Sequence, residues 1–246
     1  MPPFNLTLTS VLIPLILLLP VANAGDSHTF TSGSARATTI ELFTSEGCSS
    51  CPPADAWLSS LKDDPRLWKQ IVPMAFHVDY WDYIGWRDRF ASPENSARQR
   101  THKNQGNIRS VYTPGFVLDG QEWRGWFRRA ALNPPETGAS ELRVNLNGSE
   151  ITAEYAAEMP GPLLLNVALL GFGLSNQISS GENSGRRLSH DFVVLQQRTM
   201  ISENGHWRLD LPLIEQSPVA TKGIGAWISH PDSLKPLQAT GGWLTN

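Results

Sequence analysis

Two cysteines occur in the whole chain, and they stand three apart, as Cys48-Ser49-Ser50-Cys51. A β-branched and aromatic run, Thr38 to Thr44, precedes them, and a helix-like segment opening with Pro52-Pro53 follows. The pair therefore falls at a strand-to-helix junction, where a helix dipole favours the thiolate of the first sulfur. A disulfide stabilises mainly by closing a loop in the unfolded chain. A four-residue loop yields about 2 kcal/mol, against about 4.7 kcal/mol for a hundred residues. A staple for a whole domain belongs across distant segments. The tight spacing instead points to exchange chemistry, with Cys48 attacking and Cys51 resolving. A purely structural disulfide is the bland alternative.

The chain opens with an apolar run, Val11 to Val21, broken by Pro14 and Pro20 and ending in the cleavage-like Ala22-Asn23-Ala24. It falls short of the about 20 apolar residues that a spanning helix needs. Residues 1–24 are expected to be a signal peptide, with an uncleaved anchor as the alternative, and 25–37 a flexible segment. A periplasmic or secreted destination follows, without stable membrane insertion after cleavage. Such a compartment is oxidising and lets the cysteines pair. The 20 basic and 23 acidic residues form no long run of one sign. No nucleic-acid partner is expected, because its footprint is clustered Lys and Arg.

Pro52 to Lys62 has apolar residues at helical spacing, Asp55 near its start and Asp63-Asp64-Pro65 at its end. Ile71 to Asp79 reads as a second strand, and the intervening helix makes its pairing with the first parallel. The aromatic, charged stretch Tyr80 to Phe90 precedes a polar helix-like piece, Pro93 to Gln105. Val111 to Leu118 and Gln121 to Trp126 flank Asp119-Gly120, a hairpin signal. Asn133 to Gly138 reads as a linker. Beyond it, Glu141 to Ala156 alternates around Asn147-Gly148, and Leu163–Leu170, His190–Ile201, Trp207–Leu211 and Lys222–Ser229 are further strand candidates. That spacing suggests a small antiparallel sandwich.

The runs ELFTSEGCSSCPPAD, HVDYWDYIGW, VYTPGFVLDG and GENSGRRLSHDFVV resemble an uncharacterised bacterial family of secreted thioredoxin-like proteins, a domain of unknown function with a C-x-x-C motif. The resemblance spans roughly Thr38 to the C-terminus. It implies an α/β fold: a thioredoxin-like core over residues 38–135 with an inserted helical segment. A C-terminal antiparallel β-sandwich-like extension over 140–246 would follow. It also implies that Thr113-Pro114 is a cis bond, with Pro114 facing the dithiol and the backbone at Thr113 pairing with an extended segment of a partner. Two positions depart from the pattern. Leu42 stands where thioredoxins keep a buried acid, and Gly115 stands where a polar amide is expected. Glu41 should point to the opposite face from Leu42.

His77 lies near the C-terminal end of the second strand, the edge where ligands gather in open α/β sheets. It has three readings: a scaffold hydrogen bond, tuning of a thiolate, or a third ligand beside Cys48 and Cys51 for copper or zinc. The stretch Tyr80 to Trp86 packs an inserted helix onto the core or lines a groove. Glu46 reads as a solvated turn residue, and His28, His102, His190, His206 and His230 as ordinary surface or packing residues. Gly181 to Arg186 reads as a structured turn or an anion site. No G-x-S-x-G, H-E-x-x-H or phosphate-cradling glycine loop occurs. No cofactor is expected.

The leading expectation is an exported thiol–disulfide oxidoreductase whose partners are protein thiols or disulfides. Its site would comprise Cys48, Cys51 and Pro114, with Thr113 at the docking edge and His77 tuning. The alternatives are a periplasmic copper or zinc protein using the dithiol and His77, and a non-catalytic binding module.

Overall fold

The computed structural model describes residues 27–134, 137–157, 161–212 and 221–244. The expected signal peptide, 1–24, lies outside the described residues. The first half contains β1 (Ser27–Thr31), β2 (Thr38–Thr44), α1 (Pro52–Ser60), β3 (Ile71–His77), α2 (Pro93–Asn104), β4 (Gly115–Leu118) and β5 (Gln121–Glu122). Among the described residues, the regular elements of the second half are all strands. They are β6 (Leu142–Asn147), β7 (Glu150–Tyr155), β8 (Leu163–Phe172), β9 (Leu174–Gln177), β10 (Arg187–His190), β11 (Val193–Ser202), β12 (His206–Asp210), β13 (Thr221–Ser229) and β14 (Pro236–Leu244). Strand β1 lies within the segment read as flexible.

The fold is mostly β, which overturns the expected thioredoxin-like α/β core with an inserted helical segment. β2 and β3 do pair in parallel through the α1 crossover. The sheet does not end there. Eight strands run in the order β14-β13-β8-β11-β3-β2-β4-β5, so strands from both sides of residues 133–138 share one mixed sheet. β11 enters beside β3 in parallel, and β8, β13 and β14 continue the sheet in antiparallel fashion. Linker-like composition at 133–138 gave no hint of this, because composition does not report which strand covers an open edge. A second sheet, β1-β6-β7-β12, is antiparallel.

Side-chain alternation in β8 explains how the two sheets and the helices are held. Leu163, Leu165, Val167 and Leu169 join Leu142, Val144, Leu146, Ile151 and Trp207 in the core beneath the second sheet. Ala168, Leu170 and Phe172 point to the other face, into a core with Met74, Phe192 and Trp227. A strand buried on both faces reads as a near-continuous apolar run, as β8 does but for Asn166.

β2 is likewise buried along its whole length, and its alternation separates the helices. Glu41 faces α2, accepting from Arg98 through both carboxylate oxygens at 2.7 Å, with His102 at 3.2 Å. Thr44 faces α1, where its hydroxyl donates to Asp55 at 3.1 Å. Helix α2 begins at Ser92, whose hydroxyl accepts from the Asn95 amide, and turns a polar face inward. Each buried group there is matched: Gln99 donates to the Tyr112 carbonyl at 2.7 Å, and Asn95 donates to the His77 carbonyl at 2.9 Å.

Candidate functional site

The loop Ser45–Cys51 joins β2 to α1 and carries the cysteines. The Cys48 amide donates to the Ser45 carbonyl at 3.1 Å, and the Cys51 amide donates to the Cys48 carbonyl at 3.2 Å. Pro52 and Pro53 open α1 without amide protons, so fewer donors are left unpaired there. Gly47 is needed because Trp81 crosses above it. A Cβ at that position would lie 2.9 Å from the Trp81 Cβ. Cys48 and Cys51 form a disulfide with a Cα–Cα separation of 5.4 Å. Both are buried, at 1% and 0% exposure, while Ser49 and Ser50 face solvent.

The cover comes from the turn between β9 and β10. Asn183, itself buried, donates to the carbonyls of Glu46 at 2.8 Å and Cys48 at 3.0 Å. Glu182 accepts from the Ser49 amide at 3.2 Å, and Arg186 donates to the Asn183 side chain at 2.7 Å. Gly181 to Arg186 is thus a structured turn, built onto the cysteine loop.

Thr113-Pro114 is cis. The Thr113 hydroxyl accepts from the Trp81 indole at 2.8 Å, which connects it to the residue lying on Gly47. Tyr80 and Trp81 pack on the core, whereas Tyr83 is exposed.

His77 stands opposite Thr44 in the β2–β3 register, at the same strand edge as the cysteine loop. Its donor-gathering neighbours are Asp55 and His190 rather than the two sulfurs. The ring atoms of His77 and His190 are 4.8 Å apart between centroids and nearly perpendicular, with Phe90 against both. His77 Nδ1 lies 2.6 Å from Asp88 Oδ2, and His190 Nε2 lies 3.2 Å from Glu46 Oε1. The other ring nitrogens, His77 Nε2 and His190 Nδ1, are buried without a hydrogen-bond partner. His190 Nδ1 faces Asp55 Oδ2 at 3.8 Å.

Glu46 is fully buried, a correction to its reading as a solvated turn residue. It accepts from the Trp86 indole at 2.8 Å and the Asn176 amide at 2.7 Å. Asp88 accepts from the Glu46 amide at 2.9 Å. Burial opposes charge on His77, but Asp88, with Asp55 and Glu46 behind it, raises the His77 pKa above the ordinary value. Asp88 is lowered because the His77 charge and hydrogen bond outweigh its burial. Burial pushes Asp55 up, only partly offset by His190, His77 and Thr44.

Sequence reasoning singled out the cysteines and His77 but not Asp88 or His190. Asp55 entered only as a helix-start residue. The signal lay in quoted runs: CSSCPPAD holds Asp55, and GENSGRRLSHDFVV holds both Asn183 and His190. Their meeting depends on β10 returning to α1, a non-local contact no spacing announces.

Among the described residues, no helix is long and apolar enough to cross a membrane. The disulfide is the form cysteines keep in oxidising, non-cytoplasmic compartments. A family model described as "Protein of unknown function (DUF1223)" matches residues 39–228. No curated protein gives a match. An X-ray crystal structure of a protein from Agrobacterium tumefaciens is similar, at 24% identity over 85% of this chain and 94% of that one, with a TM-score of 0.59. That likeness shows a shared fold. HBP35 of Porphyromonas gingivalis is a more distant likeness, at 13% identity over 87% of this chain and 76% of that one, with a TM-score of 0.49.

Proposed function

The chain belongs to the DUF1223 family, and from that premise we propose that it is an exported protein that exchanges disulfides with partner proteins through Cys48 and Cys51. One observation carries the reading: the sole disulfide joins residues three apart at the start of α1. Such a ring adds little stability, so its value lies in being reversible. The cover over it supports the same reading. Asn183 and Glu182 hold it by hydrogen bonds, which a partner can exchange for its own.

In the reduced protein, the Cys48 thiolate attacks one sulfur of a partner disulfide. The partner S–S bond breaks, a mixed disulfide forms, and the released partner thiolate takes up a proton. The Cys51 thiolate then attacks the Cys48 sulfur, re-forming Cys48–Cys51 and releasing the second partner thiol. The partner gains two electrons and this protein loses two; run backwards, the same steps oxidise a partner dithiol. A largely apolar groove lined by Pro53, Trp57, Trp126, Phe127 and Ala130, with Arg129 at its side, begins two residues beyond Cys51 and offers surface for a polypeptide partner.

Cys51→Ser removes the resolving sulfur and should accumulate mixed disulfides in the oxidising compartment, visible as reducible high-mass species. Recovering no more of them than from Cys48→Ser would reject the exchange reading. So would a reduction potential below about −300 mV, which marks a structural disulfide.

A further inference from the structure

Three carboxylates and two imidazoles are buried together beside the cysteine loop: Glu46, Asp55, Asp88, His77 and His190. The ion pairs these carboxylates make among the described residues are with the two imidazoles. Their remaining contacts are with neutral donors, the Trp86 indole, the Asn176 amide, the Thr44 hydroxyl and backbone amides. Buried charge of one sign demands a counter-charge. Meanwhile His77 Nε2 and His190 Nδ1, on rings that are 0% and 2% exposed, have no hydrogen-bond partner.

We propose that Asp55, His77 and His190 bind a divalent transition-metal ion of the zinc(II) type, through His77 Nε2, His190 Nδ1 and an Asp55 carboxylate oxygen. The donor atoms lie within 4.8 Å of one another, and the Asp55–His190 pair is at 3.8 Å. Zinc bonds of about 2.0–2.2 Å set tetrahedral donors about 3.3 Å apart, a distance reached by small side-chain rotations. The far nitrogen of each ring faces a carboxylate, Asp88 for His77 and Glu46 for His190. That carboxylate–imidazole arrangement places the proton on the far nitrogen and turns the lone pair of the near one inward, as in second shells of metal sites. Three protein ligands leave a fourth position for water or a substrate atom.

Metal binding at these three side chains needs no cysteine chemistry. It also differs from a dithiol-bound metal, because the sulfurs are no part of the donor set. The competing account is that protons alone supply the counter-charge, through a charged imidazole.

The test is equilibrium competition against a chromophoric zinc chelator, on full-length protein stripped with a chelator, with cobalt(II) as a spectroscopic substitute. One equivalent of zinc should bind, and cobalt(II) should give visible ligand-field bands. His190→Ala should weaken binding by about 100-fold or more, and Asp88→Asn by about 10- to 100-fold. The Cys48→Ser, Cys51→Ser double variant should bind as the wild type does. That variant separates this site from the exchange reading, which it abolishes. Less than a tenth of an equivalent bound by folded wild type at micromolar zinc would overturn the proposal, whether or not the variants fold. Binding that survives His190→Ala, or that is lost with the cysteines, would overturn it as well.

Discussion

Glu41 shows how a single buried charge is made tolerable. Burial would raise its pKa, but Arg98 and His102 more than offset that and hold it at about 2, against an ordinary value of 4.5. A carboxylate depressed on folding contributes stability above its unfolded pKa and loses it as pH falls through the folded value. The contribution, on the order of 3 kcal/mol, is therefore present above pH 4.5 and is lost progressively towards pH 2. Glu41→Gln strands Arg98, which is 8% exposed, and should cost about 3–5 kcal/mol at pH 7. It should also flatten the fall in stability between pH 4.5 and pH 2, the window its shift defines. Urea midpoints at several pH values check both; a variant whose curve runs parallel to the wild type would mean that Glu41 is not the titrating group. Strand alternation had already put Glu41 on the face away from Leu42. Its partner His102 stayed hidden, because a histidine in a polar helix carries no mark of which side faces in.

The elements were legible where local pattern decides them. β2, β3, α2 and the strand pair around Asn147-Gly148 appear near their expected places, whereas the pair around Asp119-Gly120 is shorter than expected, Gly115–Leu118 with Gln121–Glu122, and a 3-10 turn occupies Gly125–Arg128. β14 was not anticipated, and Gly241-Gly242 explains why. Adjacent glycines weaken a strand signal, yet here they admit close neighbours: a Cβ on Gly241 would lie 2.5 Å from the Ile224 carbonyl oxygen, and a Cβ on Gly242 would fall against the Phe30 ring. The expected strand from His190 to Ile201 starts instead at Val193 as β11; His190 closes β10, which was not anticipated, and Phe192 takes a positive φ of 58° between the two. The β9–β10 turn lies over the cysteine loop through Asn183 and Glu182, which assigns the turn a measurable role. Asn183→Ala removes two donors from the cover and leaves the cysteines unchanged. At about 1 kcal/mol for each of the two hydrogen bonds, reduction of the disulfide by excess dithiothreitol should accelerate by up to about 30-fold. The assay is the rate of thiol appearance at fixed reductant, alongside the thermal midpoint. An unchanged rate would show that the turn does not control access.

At the scale of the whole molecule, the site and the sheet have the same origin in both halves of the chain. Cys48, Asp55 and His77 come from the first half, Asn183 and His190 from the second. The strands beneath them join through the β3–β11 pairing. Spacing rules capture what neighbours along the chain do and are silent on such a join, so the cysteine loop was readable and the cluster beside it was not. The join also has an energetic consequence. Met74, Phe172, Phe192 and Trp227 share one core although they lie up to 153 residues apart, so the face that each half turns to this core is uncovered without the other. Unfolding should therefore be a single transition, with near-ultraviolet circular dichroism, far-ultraviolet circular dichroism and calorimetry giving the same midpoint. A chain ended at residue 134 would keep β2, β3 and both cysteines but lose the strand that covers the β3 edge. It should show no cooperative melt and should bind no zinc at the Asp55–His77 pair, for want of His190. Two resolved transitions in the intact chain, or a cooperatively melting fragment, would show that the sheet is divisible and that the site depends less on its second half than the β3–β11 contact implies.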